Sequence, residues 1–360
     1  MFSSVRSGVK ASMPMGLNEL RFLSLSIAVI AVAVWQPQPV LGQEALDRTS
    51  TINVTEENDS IGFNSDKHYT QGARFSYASA ESTSGTRVSI ADSILFAGKN
   101  SEFASTYRYS VYFGQSLFTP ENLELVTPDP NDRPYAGWLY VGMDLYRETP
   151  EVLDRAEVTV GIVGPSAQGR ETQNDYHHLT RAYLGGRPAL GWGAQLHDEP
   201  GLILAQERKW RIPGHIGGLE ADLLPEVNAS LGNIFTYAGA GFLARVGQRI
   251  AVDWGPPRVQ PGISGTDFVN RSRLDGRPYA WYVFAGTEAR LVARNIFLDG
   301  NSFEDSASVS KEPLVADLTA GFAMVFPRGR AAVSYVRRTD EFKTQVGQDQ
   351  FLSITLAILF

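Results

Sequence analysis

The chain has 360 residues, a formal net charge of -7, 20% charged and 11% aromatic residues, 34 glycines and no cysteine. The acidic balance leaves no basic footprint for a nucleic acid, and the lack of cysteine excludes a lipoprotein anchor and a disulfide framework. Beyond one short N-terminal stretch no apolar run is long enough for a membrane helix, so a helical membrane protein is excluded too.

The first segment reads as an export signal. Arg6, Lys10 and Arg21 precede an apolar run from Phe22 to Trp35 that is too short to span a bilayer comfortably. Pro37 and Pro39 stop a helix, and small Gly42 suits a peptidase cutting on its C-terminal side. We therefore expect a signal peptide over 1–42, a mature start near Gln43 and a single β-barrel domain over 43–360.

Period-two alternation dominates the mature chain. From Leu139 to Leu145 the outer set is Leu139, Val141, Met143 and Leu145, against Tyr140, Gly142 and Asp144 inside. From Tyr279 to Leu291 Glu288 and Arg290 take the inner parity, while Tyr279 and Trp281 sit at one end of the outer one, as in an interfacial girdle. From Leu314 to Phe326 the apolar parity is Leu314, Ala316, Leu318, Ala320, Phe322, Met324 and Phe326, tall enough for a membrane band. The closing run Phe351 to Phe360 sets Leu352, Ile354, Leu356, Ile358 and Phe360 against Ser353, Thr355 and Ala357. A last strand ending on an aromatic is usual in bacterial outer-membrane barrels.

Strands are predicted over 51–57, 69–80, 106–117, 135–147, 153–163, 202–212, 220–231, 234–247, 279–293, 314–326, 329–338 and 350–360. An even number suits a single-chain bacterial barrel. The fold class expected is thus all-β, a transmembrane antiparallel β-barrel of about twelve strands in the outer membrane. Long linkers at Ala80 to Ser105 and Gly247 to Pro278 are read as outer loops, and Pro327 to Arg330 as a short periplasmic turn.

Three clusters could carry chemistry. Asn58 and Asp59 end the first strand, and His68-Tyr69-Thr70-Gln71-Gly72 opens the second with Thr70 on the lumen side. Carboxylate and amide oxygens side by side suit a hard cation such as calcium, although Asn-Asp also simply turns a chain. Asn131 to Trp138 reads as a rigid turn, with Tyr135 and Trp138 suited to the membrane interface. After Gly164-Pro165-Ser166 a helical turn would place Gln173 and His177 on one face, and a neutral imidazole is a natural base near neutral pH.

The chain resembles the calcium-dependent outer-membrane lipid A 3′-O-deacylases. The resemblance rests on Asn58-Asp59, Tyr69-Thr70-Gln71-Gly72, Gly164-Pro165-Ser166, Gln173-Asn174 with His177, Gly191-Trp192 with Gln195-Leu196, Pro225-Glu226-Val227 and the Phe-terminated strand. It implies a twelve-stranded barrel that hydrolyses an acyloxyacyl ester of lipid A in lipopolysaccharide, among outer-membrane lipids. It implies His177 as general base, Asn58 and Asp59 as Ca2+ ligands, and Thr70 and Gln173 as orienting groups. Two departures stand out: Tyr183 occupies the place of the family's acid six residues after the histidine, and the family's lysine is not evident between Phe118 and Asn131. Asp175, Asp198 and Glu199 are the candidate substitutes for that acid. The competing readings are a serine-type outer-membrane phospholipase using Ser166 with His177, and a non-catalytic structural barrel or porin.

Overall fold

Alternation of exposed and buried side chains runs through nearly every extended segment. In the computed structural model the described residues are 46–60, 67–83, 105–184, 188–259, 261–262 and 264–360, with the side chains of 177–184 outside that set. The segment expected as a signal peptide, 1–42, lies outside the described residues.

The strands are β1 (Thr51–Asn58), β2 (His68–Ala78), β3 (Thr106–Thr119), β4 (Ala136–Glu148), β5 (Val152–Val163), β6 (Glu199–Trp210), β7 (Ile212–Ile216), β8 (Leu219–Gly232), β9 (Phe235–Gln248), β10 (Ala280–Asn295), β11 (Leu314–Phe326), β12 (Gly329–Arg338) and β13 (Asp349–Leu359). Each pairs antiparallel with its neighbours, β1 closes on β13, and β6 closes on β8. Only Arg211 separates β6 from β7, and both lie along β8, so they form one stave of a closed twelve-stranded barrel. Among the described residues no lateral sheet edge is left to invite a foreign strand.

The outer face is apolar. Val54, Phe113, Val141, Met143, Val283, Leu318, Leu356 and Ile358 are exposed, while Asp144, Glu288, Arg290, Asp317 and Thr355 on the opposite parity are buried. Exposed apolar side chains on every stave are what a hydrocarbon solvent requires. Near the chain termini Tyr77, Tyr109 and Phe360 form part of an aromatic girdle, with ring centroids 6.2 Å (Tyr77 to Tyr109) and 6.5 Å (Tyr77 to Phe360) apart.

Inside, charges are matched. Arg74 meets Asp144 at 3.2 Å and Asp267 at 2.8 Å, and Arg338 meets Asp317 at 2.8 Å. Removing one partner of such a pair would leave an uncompensated buried charge, a loss of about 3–5 kcal/mol.

The long linkers correct the expected loop arrangement. Thr51 pairs with Leu359 and Ala78, Ala280 with Val325, and Val325 with Arg330, so the connections after β2 and β9 leave the barrel at the end that holds the termini and the Pro327-Arg328 turn. Strand parity decides this. A connection from an even to an odd stave must lie at the terminal end, whatever its length. Of the first long linker, residues 84–104 lie outside the described set. The second, between Gln248 and Ala280, turns inward as a plug. Asp253 bonds Arg245 and Arg330, Asp267 bonds Arg74 and Ser110, and Trp254 donates to Glu148. The lumen left between plug and wall includes a cavity of about 100 Å³ lined by Arg74, Tyr112, Arg155, Glu157, Glu207 and Arg258 among others.

Candidate active site

The opposite end, here the far rim, carries the connections after β1, β3, β5, β8, β10 and β12. Helix α1 (Gly169–Leu184) lies after β5 and packs on β3 and β4; helix α2 (Ile296–Asp299) follows β10. Gly137 lets the start of α1 approach β4 closely, since a Cβ there would lie 3.1 Å from Ala167 Cβ and 3.2 Å from Gly169 N. Gln115 Nε2 donates to Ala167 O at 2.6 Å and ties the turn before α1 to β3.

Asn58 and Asp59 are both buried where β1 ends. Asn58 Oδ1 accepts from Ser60 N at 2.8 Å and Ser60 Oγ at 2.5 Å, which is an Asx turn. Asp59 Oδ2 accepts from Lys67 N at 2.7 Å, so one carboxylate oxygen staples the two sides of the β1–β2 connection. The Asp59 amide donates to Thr70 O at 3.4 Å.

Thr70 sits at a break in register between Tyr69 and Gln71. Thr70 is the extra residue, and the bulge turns Tyr69 inward beside it. Thr70 Oγ1 lies 2.6 Å from Thr119 Oγ1 on β3. Tyr69 Oη reaches back to Glu57 Oε2 at 3.0 Å, over Gly72.

Gln173 is buried in α1, and its Oε1 accepts from Trp192 Nε1 at 2.7 Å. Because indole can only donate, this contact fixes which branch of the amide is oxygen and turns the NH2 away from Trp192. Trp192 packs with Leu117, Leu123, Tyr135 and Ala189. His177 comes one helical turn after Gln173; its side chain is outside the described residues. The structure therefore groups Asn58, Asp59 and Thr70 on β1 and β2, and sets Gln173 at the same rim through β3, whose Thr119 touches Thr70 and whose Leu117 packs on Trp192.

The acids considered as substitutes for the partner of His177 have other contacts. Asp198 takes Ser166 N at 2.8 Å and Ser166 Oγ at 2.6 Å. Glu199 takes Asn233 at 2.8 Å, Asn301 at 3.2 Å and Ser302 N at 2.7 Å. Asp175 is exposed on α1.

Tyr135 and Trp138 are not interfacial. Both are buried, Tyr135 against Trp192 and Trp138 inside the barrel, because Trp138 is out of phase with the lipid-facing Leu139 and Val141. Arg133 is fully buried, pairing with Glu341 Oε2 at 3.2 Å over the Phe118 ring.

The sequence placed His68 at the opening of the second strand but gave it no partner. Its Nδ1 lies 2.6 Å from Asp349 Oδ1 and its Nε2 3.6 Å from Asp132 Oδ1. Burial alone would raise the Asp132 carboxyl, but hydrogen bonds from His68 and the Glu121 and Arg133 amides hold it below the usual range. Burial likewise opposes ionisation of Glu341, and Arg338 and Arg133 overcome it.

The model of the family described as outer membrane protein LpxR matches residues 23–360. The chain belongs to that family. Among solved structures, LpxR from Salmonella typhimurium superposes with a TM-score of 0.68 at 19% identity, covering 86% of this chain and 100% of that one. The β domain of the Bordetella autotransporter BrkA gives a TM-score of 0.39 at 9% identity, covering 88% of this chain and 99% of that one. Curated proteins give no match. The LpxR match extends the fold to the whole barrel, and membership places the chain in the outer membrane.

Proposed function

We propose that this LpxR-family chain is a lipid A deacylase, hydrolysing the 3′-O-linked acyloxyacyl ester of lipopolysaccharide with His177 as general base. The observation that carries the reading is the convergence of Asp59, Thr70 and Gln173 on one rim of a lipid-facing barrel. Such a rim meets the headgroups of a membrane-resident ester without lifting it from the leaflet.

Water adds to the ester carbonyl while neutral His177 takes its proton. Collapse then breaks the bond to the sugar oxygen, which receives that proton, and releases the acyloxyacyl acid. Thr70 and Gln173 orient the substrate. The amide of Gln173 is held for this by Trp192, which leaves its donor side directed away from the indole. Asn58 and Asp59 would hold a calcium ion: their oxygens are of the hard type that calcium takes. When bound, calcium supplies Lewis-acid stabilisation of the developing oxyanion.

The contacts of Ser166 weigh against the serine-nucleophile reading. Its hydroxyl donates to exposed Asp198, which also accepts from the Ser166 amide. The plug weighs against an open porin.

Expression in a host with hexa-acylated lipid A tests the proposal. Mass spectra of the extracted lipid should lose one acyloxyacyl unit with the native chain and none with His177→Ala. Unchanged lipid from folded native protein refutes it.

A further inference from the structure

The plug enters from the terminal end, yet it reaches the residue immediately before Asn58. Arg258 Nε bonds Glu57 Oε1, and the neighbouring Val259 amide donates to the same oxygen at 3.2 Å. Glu57 Oε2 accepts Tyr69 Oη at 3.0 Å. The guanidinium also lies 5.2 Å from the centroid of Phe351, which stands edge-on to Tyr69 at 5.1 Å. One buried carboxylate thus joins the plug, the end of β1 and the bulge of β2.

We infer that Arg258 is a positioning residue for the far-rim site, acting through Glu57 and Tyr69 to set Asp59 and Thr70. The bulge is the lever. Tyr69 and Thr70 are adjacent; Thr70 faces inward in phase with Gly72 and Arg74, and Tyr69 joins it only because Thr70 is an extra residue in the register. With its hydroxyl tied to Glu57, Tyr69 cannot swing outward, so Thr70 keeps its contact with Thr119 and its carbonyl keeps the Asp59 amide. Arg258 sets its guanidinium directly against the Glu57 carboxylate, and neither side chain has any appreciable exposure.

The plug can bear this role because it is itself fixed. Arg258 N donates to Ser264 Oγ at 3.1 Å, and Asp267 is gripped by Arg74 at 2.8 Å and Ser110 at 2.6 Å. Close approach is allowed by Gly72, where a Cβ would stand 2.9 Å from Val259 Cγ1. Lysine would keep the charge but lose the side-facing Nε–H that bonds Glu57.

The catalytic readout rests on the deacylase reading; the spectroscopic one does not. Full-length mature protein in detergent micelles, labelled at threonine methyls, is compared as native, Arg258→Ala, Arg258→Lys and the plug control Arg273→Ala, which touches Glu148 rather than the rim. Each is first checked for the compact, heat-modifiable band of a folded barrel. In Arg258→Ala the Thr70 methyl resonance should shift or broaden, kcat for acyl release should fall at least tenfold and KM should change less than threefold. Arg258→Lys should recover part of both, and Arg273→Ala should change neither. An unmoved Thr70 methyl in a folded Arg258 variant overturns the inference whether or not the protein is active, and so does unchanged kcat. If Arg258→Ala does not fold, Arg258→Lys decides alone. A shifted Thr70 methyl in a protein that never releases acyl chains sustains the positioning and removes the deacylase reading.

Discussion

Asp349 Oδ1, where the last strand begins, lies 2.6 Å from His68 Nδ1, where the second begins. The ring also faces Asp132 at 3.6 Å and the edge of Phe342 at 5.3 Å, so His68 knots three far-rim connections. Its backbone is left-handed, with φ 61, a conformation that costs a non-glycine residue energy and needs support from such contacts. Replacing Asp349 by Ala should therefore destabilise the folded barrel by about 3 kcal/mol. Lys67→Ala, which breaks a pair with half-exposed Glu121, should cost less than about 1 kcal/mol. Urea unfolding in vesicles measures both, and equal effects would contradict the assignment of His68 as the knot.

The far-rim loops should loosen in acid within a defined window. Asp132 and Glu341 have carboxyls held below their ordinary values. A depressed folded-state pKa contributes stability that is present above the unfolded value and is lost as pH falls through the folded one. Loop order should thus persist down to about pH 4 and fail below it. Hydrogen exchange across 120–135 at pH 7, 5 and 3 checks this, with protection expected at the first two only.

Sequence periodicity carried the barrel because a strand between hydrocarbon and a polar lumen must alternate at every step, as Leu314 to Phe326 does. The helix with Gln173 and His177 one turn apart was legible for a similar reason, since both are local features. The direction of the long linkers was also within reach: counting staves places the connections at 80–105 and 247–278 on the terminal side, and only the habit of reading long loops as outer ones hid it. The plug was not legible. Glu57 and Arg258 meet across some 200 residues of chain, and nothing near either forecasts the other. The meeting of His68, Asp132 and Asp349 was missed on the same ground, each sitting in an ordinary turn or strand end.

Gly72 should not tolerate alanine. A Cβ there would stand 1.9 Å from Tyr69 Oη and 2.9 Å from Val259 Cγ1, so Tyr69 must leave Glu57 or the plug must shift. Overpacking of this kind costs about 1–3 kcal/mol. Gly193, with open space around its Cα, should accept alanine with a change under about 0.5 kcal/mol. Thermal shift in micelles compares the two, and a Gly72→Ala barrel as stable as the native one would show that the bulge is not held by that contact.

Trp192→Phe separates packing from orientation at Gln173. Phenylalanine keeps most of the ring that fills the cluster of Leu117, Leu123, Tyr135 and Ala189, but removes the donor that Gln173 Oε1 accepts. The loss of one buried hydrogen bond, with its acceptor left behind, is worth about 1–3 kcal/mol. The catalytic effect should exceed what stability explains. With the indole gone the Gln173 amide loses the donor that fixes its oxygen on that side, and on the deacylase reading its NH2 is then less well placed toward the ester. A several-fold fall in kcat, in protein that is still fully folded at the assay temperature, is the expected result. If kcat holds while stability drops, Trp192 serves packing alone and Gln173 does not depend on it for orientation.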